Sequence, residues 1–221
     1  MPGASYLVRP MLHTITVIGE GRATAKPDVA MATIGVETIG KTLGDANDRN
    51  NAKMEVLVKT LKASGIADKD IQTTNYSVVP ERKYSRETGP GEITSFRVSN
   101  QVRVKFRDLK KIGGTLDQVV KDGANTVQSI AFEADDPTPI RARASAAAVG
   151  AARVKAEEIA KAAGVKLGEV VQISEVFGGE PRPMAMMAAA PMAAGSPARS
   201  VPVEQGELEF AAHLQVIYAI R

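Results

Sequence analysis

Four basic side chains recur at strand spacing near the middle of the chain: Arg97, Arg103, Lys105 and Arg107. Alternate residues of a strand point to the same side, so the four would form a basic stripe able to bind phosphates or an acidic partner. The alternative is a solvated sheet face, or charges that keep an edge strand from aggregating. The net charge of only +3 and the 4% aromatic content favour the solvated face and make nucleic acid a poor candidate partner.

A second candidate is the segment 178–206, which is rich in alanine and proline. It contains four of the eight methionines: Met184, Met186, Met187 and Met192. The prolines exclude a regular helix or central strand here, and methionine is adaptable enough to suit a contact surface. Two interpretations are equally supported, a contact loop for a partner or second subunit and a linker without regular structure.

The sequence contains few residues of the types that catalyse reactions or bind metal ions. The chain has no cysteine, which excludes disulfides, thiolate nucleophiles and cysteine-based metal sites. Two histidines, His13 and His213, cannot make a histidine-rich metal site, and neither has catalytic partners at useful spacing. No set of residues in the sequence therefore supports a hydrolase or an oxidoreductase. We predict a protein that is not an enzyme, with no catalytic residue, no metal site and no cofactor.

Three further groups suggest function at first sight, but a structural role fits each better. Gly19 and Gly21 resemble a phosphate loop, yet the chain continues as a strand, so we expect a bulge or close packing. Asn50 lies in an apolar helical stripe, where its amide would bond to the backbone or fix a subunit contact. Glu157 and Glu158 are helix neighbours that point roughly 100° apart, so they do not form a facing carboxylate pair.

Hydrophobic periodicity places these groups on alternating strands and helices. The predicted strands are 14–26, 29–39, 71–84, 92–107, 125–133, 167–177 and 207–221, and the predicted helices are 42–64, 109–121 and 136–163. This order, ββαββαβαββ, predicts an α+β fold with a largely antiparallel sheet or sheets and three helices packed on one face.

Several details of these elements are also predicted. Thr42 is expected to cap the first helix, and a loop over 85–91 is expected to join the two hairpin strands. Both Val119 and Val120 are expected to face inward from the second helix. The third helix is rich in alanine, whose small side chain lets a helix approach a sheet closely.

An ordered set of short segments resembles one known family. The set consists of Ile15-Thr-Val-Ile-Gly-Glu-Gly-Arg22, Lys26-Pro-Asp28, Asn50-Asn51, Gly65-Ile-Ala-Asp-Lys-Asp-Ile-Gln-Thr73, Val104-Lys-Phe-Arg-Asp-Leu109, Gly123-Ala-Asn125, Ala162-Ala-Gly-Val-Lys-Leu-Gly168 and Ile173-Ser-Glu175. It is similar to the SIMPL-domain proteins of the bacterial envelope. The resemblance covers nearly everything from Thr14 to Arg221, including a Pro/Met/Ala-rich loop before the final strand.

The resemblance implies an α+β fold in a secreted, periplasmic or envelope-associated protein without known catalysis. It also implies a link to oxidative-stress defence and surface antigenicity, and assembly of some members into large homo-oligomeric, channel-like rings. The corresponding domain organisation is a tail over 1–13 and one SIMPL-like domain over 14–221.

The location of the protein is left with two alternatives. Residues 1–14 lack the basic region and continuous apolar run of a signal peptide, and no window approaches the roughly 18 apolar residues of a membrane-spanning helix. The resemblance favours the periplasm or cell envelope, while the missing leader leaves the cytoplasm open.

Two functions follow. The first is a non-enzymatic envelope protein that acts through homo-oligomers and surface contacts, with a role in oxidative or envelope stress. The alternative is a small binding module for anionic ligands or nucleic acid that uses the basic stripe.

Overall fold

The computed structural model describes residues 13–85, 89–176, 182–184 and 205–221. Their elements confirm the predicted α+β class. The helices are α1 (Leu43–Ala63), α2 (Ile112–Lys121) and α3 (Thr138–Ala162). The strands are β1 (Thr14–Ala25), β2 (Val29–Gly40), β3 (Ile71–Ser85), β4 (Gly89–Phe106), β5 (Thr126–Glu133), β6 (Leu167–Val176), β7 (Arg182–Met184) and β8 (Glu207–Ile220).

The described residues form two compact units, each built on one antiparallel sheet. The described residues of the terminal unit are 13–25, 136–176, 182–184 and 207–221, and its sheet has the order β1-β8-β6, with β7 also paired to β8. The described residues of the central unit are 26–85, 89–135 and 205–206, and its sheet has the order β3-β4-β2-β5. The three predicted helices are thus divided between two sheets. One SIMPL-like domain over 14–221 stays a prediction.

The terminal unit is held together by a long pairing of β1 with β8 and by α3 on one face. The ladder runs from Thr14 opposite Ala219 to Ala25 opposite Leu208, and alternate side chains of both strands are buried. α3 packs on β1 and β8 through alanines spaced four residues apart. The buried alanines are Ala144, Ala148, Ala152, Ala156 and Ala160.

Two glycines of β1 let this helix lie directly on the sheet. A Cβ atom added to Gly19 would lie 2.0 Å from the carbonyl oxygen of Ala148, and one added to Gly21 would lie 2.1 Å from that of Ala144. Helix backbone and strand backbone therefore meet where any side chain would collide. The interpretation of these glycines as a site of close packing is confirmed, and β1 continues past both of them.

The central unit packs α1 and α2 over one face of its sheet. The Thr42 side chain accepts a hydrogen bond from the Asp45 amide, so the predicted cap is confirmed, and α1 buries Met54, Leu57 and Leu61. These side chains join one apolar cluster with residues of β2, β4 and α2. From the strands and α2 the cluster takes Ala30, Ala32, Ile34, Val36, Val102, Val104, Phe106, Ile112, Leu116 and Val119.

Two local predictions were wrong. Val120 is 52% exposed rather than inward, because the apolar face of α2 is already completed by Ile112, Leu116 and Val119. The loop predicted at 85–91 is shorter, because pairing continues to Ser85 opposite Gly89. The short strand β7 inside the segment 178–206 agrees with the prediction that the prolines exclude a central strand, because its three residues pair only with β8 among the described strands.

Candidate functional site

The four residues of the basic stripe do share one face of the central sheet. β4 lies between β3 and β2. Its Val98, Val102, Val104 and Phe106 are buried towards α1 and α2, so the alternate residues Arg97, Arg103, Lys105 and Arg107 belong to the opposite face. The predicted juxtaposition is therefore present, and its chemistry depends on what each cation contacts.

Arg97 is neutralised by two carboxylates. It forms ion pairs with Glu37 of β2 and with Glu81 of β3, and its Nε donates to Glu81 Oε1 at 2.9 Å. Ser95 Oγ donates to the second oxygen of Glu81 at 2.7 Å. The hydrogen bonds from Ser95 and Arg97 hold the pKa of Glu81 below its ordinary value. Arg97 thus ties three strands together and is not free to bind an anion.

Lys105 and Arg107 share an aspartate, and Arg107 engages a second one. Arg107 Nε and Nη2 donate to Asp70 Oδ2 and Oδ1 at 2.9 and 3.0 Å, a two-point contact. Its Nη1 donates to Asp135 Oδ2 at 2.6 Å, and Asp135 also pairs with Lys105. The Asp135 amide in turn donates to Asp28 Oδ1 at 2.7 Å, which fixes its position. This arrangement is a clamp that orients both cations.

The clamp shifts the ionisation of its acids. The side chain of Asp70 is 6% exposed, and the hydrogen bonds from Arg107 lower its pKa although burial opposes the shift. Hydrogen bonds from Lys105 and Arg107 also lower the pKa of Asp135. A carboxylate with a lowered pKa in the folded state stabilises the fold above its ordinary pKa, and this stabilisation is lost as the pH falls through the lowered value.

Asp70→Asn is therefore expected to destabilise the protein at pH 7, with a urea midpoint lowered by about 0.5 M, since one partner of the clamp is half-exposed. The difference from the wild type should shrink as the pH falls below about 4. Urea unfolding followed by circular dichroism at pH 7 and pH 3 measures both effects. The control is Asp48→Asn on α1, which removes an exposed carboxylate without an ion pair among the described residues. A constant Asp70→Asn difference across this pH range would contradict the linkage.

Two adjoining concavities lie beside the clamp. The strand pocket, of about 280 Å³, is lined by Met31, Lys69, Asp70, Gln72, Arg103, Lys105 and Arg107. The turn pocket, of about 220 Å³, shares Lys69, Asp70, Lys105 and Arg107 with it and continues towards Ile66, Phe106 and Thr115. The clamp residues therefore form a wall common to both pockets.

The basic stripe was predicted from the sequence, but its partners were not. Lys69 and Asp70 lie in a short 3-10 turn that leads into β3, and Asp135 follows β5. A usable signal was the hairpin register, because Ile71 opposite Val104 places the preceding Asp70 beside the end of β4. That register depends on the true length of the hairpin loop, which was overestimated.

Asn50 has the structural role that its apolar surroundings indicate. It is fully buried on α1, and its Nδ2 donates to the carbonyl oxygens of Val36 at 2.9 Å and Val98 at 3.2 Å. One side chain therefore bonds to both β2 and β4 from the helix packed above them. The prediction of backbone bonding is confirmed.

The other predicted residues stand apart from this site. His213 is half-buried on β8, opposite Glu20 of β1, and Glu157 accepts a hydrogen bond from Arg153 at 2.9 Å. Met184 is the last residue of β7, whereas Met186, Met187 and Met192 lie outside the described residues. A contact role for these methionines stays a prediction.

Two features are absent from the described ranges. No three His, Cys, Asp or Glu side chains lie close enough together there to hold a metal ion. None of the helices in this part of the chain combines the length and the apolar character needed to cross a bilayer.

Comparison with known proteins identifies the family of the chain. The model of the SIMPL family, described as a protein of unknown function (DUF541), matches residues 15–218. The chain belongs to the SIMPL family. The match includes residues of both units.

Individual relatives cover nearly the same stretch. The 26 kDa periplasmic immunogenic protein of Brucella melitensis is 34% identical over 211 residues, which are 94% of this SIMPL chain and 84% of the relative. The uncharacterized protein YggE of Escherichia coli K12 is 27% identical over 94% of this chain and 83% of its own length. YggE of Edwardsiella ictaluri is 28% identical over 93% and 86%. These names indicate no enzyme family.

Proposed function

We propose that this SIMPL protein is a non-enzymatic protein of the periplasm or cell envelope that acts by assembling into homo-oligomers. A periplasmic location is supported by the Brucella relative, whose name states it. A non-enzymatic role is supported by the absence of cysteine from the chain and by the ion pairs and backbone bonds that occupy its candidate reactive groups. A role in oxidative or envelope stress is proposed on the family resemblance.

The observation that carries the proposal is the open edge of the terminal sheet. β6 pairs only with β8 among the described strands, so its other side offers free backbone groups. Its branched apolar side chains are also exposed. They are Val170 at 47%, Val171 at 46%, Ile173 at 49% and Val176 at 42%.

An exposed apolar edge strand is a template for pairing with another strand. Val170 and Ile173 lie opposite Tyr218 and Val216, on the face that carries α3, yet α3 buries its alanines over β1 and β8 and leaves them uncovered. A second copy that added its own β6 would extend the sheet and bury these side chains. Identical edges can pair with each other around a two-fold axis.

The double variant Val170→Lys/Ile173→Lys is therefore expected to reduce an oligomer to the 23.3 kDa monomer. Both side chains are half-exposed, so the charges remain solvated in the monomer and only the paired edge is lost. Light scattering coupled to size exclusion measures the mass at micromolar concentration. Val120→Lys, which changes an equally exposed valine on α2, is the control and should keep the wild-type mass.

The same experiment tests the methionine-rich segment. Deletion of residues 184–198 should lower the mass if that segment is the subunit contact, and an unchanged mass would assign the contact to β6 alone. A wild-type monomer, or a double variant that keeps its mass, would refute assembly through this edge.

Peroxide survival of cells that carry the double variant in place of the wild type tests the stress role; unchanged survival would refute a role that depends on assembly.

A further inference from the structure

We propose that the strand pocket of the central unit binds a small dianion between Lys69 and Arg103. The ligand class is a low-molecular-weight oxyanion with two negative charges, such as a phosphate or a short dicarboxylate. This binding role is separate from the assembly proposed above, because every residue of the pocket lies in the central unit.

The charge arithmetic of the pocket favours an anion. Its lining includes four cations, Lys69, Arg103, Lys105 and Arg107, and one carboxylate, Asp70. Asp135, which pairs with Lys105 and Arg107, supplies a second negative charge. Four positive charges less two negative charges leave a surplus of two. The surplus belongs to Lys69 and Arg103, which form no ion pair with the carboxylates of the described residues.

The clamp makes this surplus persistent. Both oxygens of Asp70 accept hydrogen bonds from Arg107, so the nearest acid of the pocket is already engaged. Arg107 is in turn held by Asp135. Lys69 and Arg103, which form no ion pair among the described residues, therefore line a concave surface. The other charged groups of this surface are already held in place, so a ligand does not have to order them.

The neighbouring side chains suit an oxyanion of small size. Gln72 of β3 lies directly opposite Arg103 in the strand register, so an amide donor stands beside a guanidinium that can contact two oxygens at once. Met31 of β2 lies opposite Lys105 and adds an apolar contact. The volume of about 280 Å³ falls just below the roughly 300–1,000 Å³ typical of pockets for drug-sized molecules.

Calorimetric titration of the full chain with inorganic phosphate and with succinate at pH 8 tests the proposal. Sodium chloride keeps the ionic strength constant, and acetate serves as the single-charge control. We expect saturable binding of at least one dianion, at least about tenfold tighter than acetate, since acetate can satisfy only one of the two surplus cations. Phosphate alone would identify a phosphate compound as the ligand, and succinate alone a dicarboxylate.

Single-charge variants locate the site. Arg103→Gln and Lys69→Gln should each weaken dianion binding about tenfold, the loss expected for one charge-assisted hydrogen bond. Arg141→Gln, which removes an exposed charge from α3 in the terminal unit, should leave binding unchanged. Both pocket residues are exposed, so urea midpoints should match the wild type. Absence of saturable binding up to about 10 mM, or equal weakening by Arg141→Gln, would overturn the proposal.

Discussion

Replacing Gly21 with alanine is expected to lower the free energy of unfolding of the terminal unit by about 3 kcal/mol, the upper end of the usual cost of overpacking. The added Cβ would lie 2.1 Å from Ala144 O, 2.3 Å from Ala148 N and 2.9 Å from the carbonyl carbon of Ala147. All three atoms belong to the backbone of α3, so no side chain can rotate away. The helix must move off the sheet, which opens the packing of its whole alanine stripe.

Gly150→Ala is the matched control for this prediction. It makes the same substitution on α3 itself, where an added Cβ has nothing within 4 Å. Alanine in an exposed helical position should stabilise the protein by about 0.5–1 kcal/mol. Urea unfolding of both variants, followed by circular dichroism, should give shifts of opposite sign. A Gly21→Ala protein as stable as the wild type would contradict the close approach of strand and helix.

Asn50→Asp is expected to be the most damaging conservative change in the central unit, with a loss of about 3–5 kcal/mol at pH 7. The substituted carboxylate would face the carbonyl oxygens of Val36 and Val98, to which the Asn50 amide now donates. Full burial adds the cost of removing a charge from water. A single atom exchange thus converts two hydrogen bonds into two repulsive contacts.

The loss should also depend on pH. Burial and the facing carbonyl oxygens raise the pKa of the substituted carboxyl in the folded state above its value in the unfolded chain. The neutral acid can still donate one hydrogen bond, so the variant is least impaired below about pH 4 and loses further stability as the pH rises towards the folded-state pKa.

Urea midpoints at pH 4 and pH 7 measure this dependence. Asn51→Asp is the control, because it makes the same exchange one residue further along α1 at an exposed position. It should remain close to the wild type at both pH values. If the Asn50 and Asn51 variants were equally stable at pH 7, the bonds from Asn50 to the two strands would not contribute as proposed.

Predictions from the sequence were correct where residues close together in the chain allow only one local structure. The alternation along β4 predicted that Arg97, Arg103, Lys105 and Arg107 share one face, and the valines between them are buried on the other. The cap at Thr42 followed from side-chain chemistry within a few residues, since its side chain accepts from the Asp45 amide. The prediction for Val120 was wrong because Val119 and Val120 both lie near the border of the apolar face of α2. Packing against α1 and the sheet buries only Val119.

At the candidate site, the sequence predicted the basic stripe but not the residues that pair with it. Its members were found by spacing along one strand, but their partners lie far away in the chain: 60 residues separate Arg97 from Glu37, and 37 separate Arg107 from Asp70. Spacing alone therefore could not show that Arg97, Lys105 and Arg107 are paired, whereas Arg103 forms no ion pair with the described part of the chain. This pairing pattern changes the predicted anion-binding site from a long basic surface to one small pocket.

The sequence by itself determined the elements, their buried faces, the family and the lack of cysteine chemistry, because each of these depends on residue type and on periods of two to four residues. Tertiary structure alone decided that the described strands form two sheets, that α3 touches the backbone of β1, and which charges of the described residues form ion pairs. These features arise from residues that become neighbours only when strands pair in register, and register is set by the burial of whole faces at once.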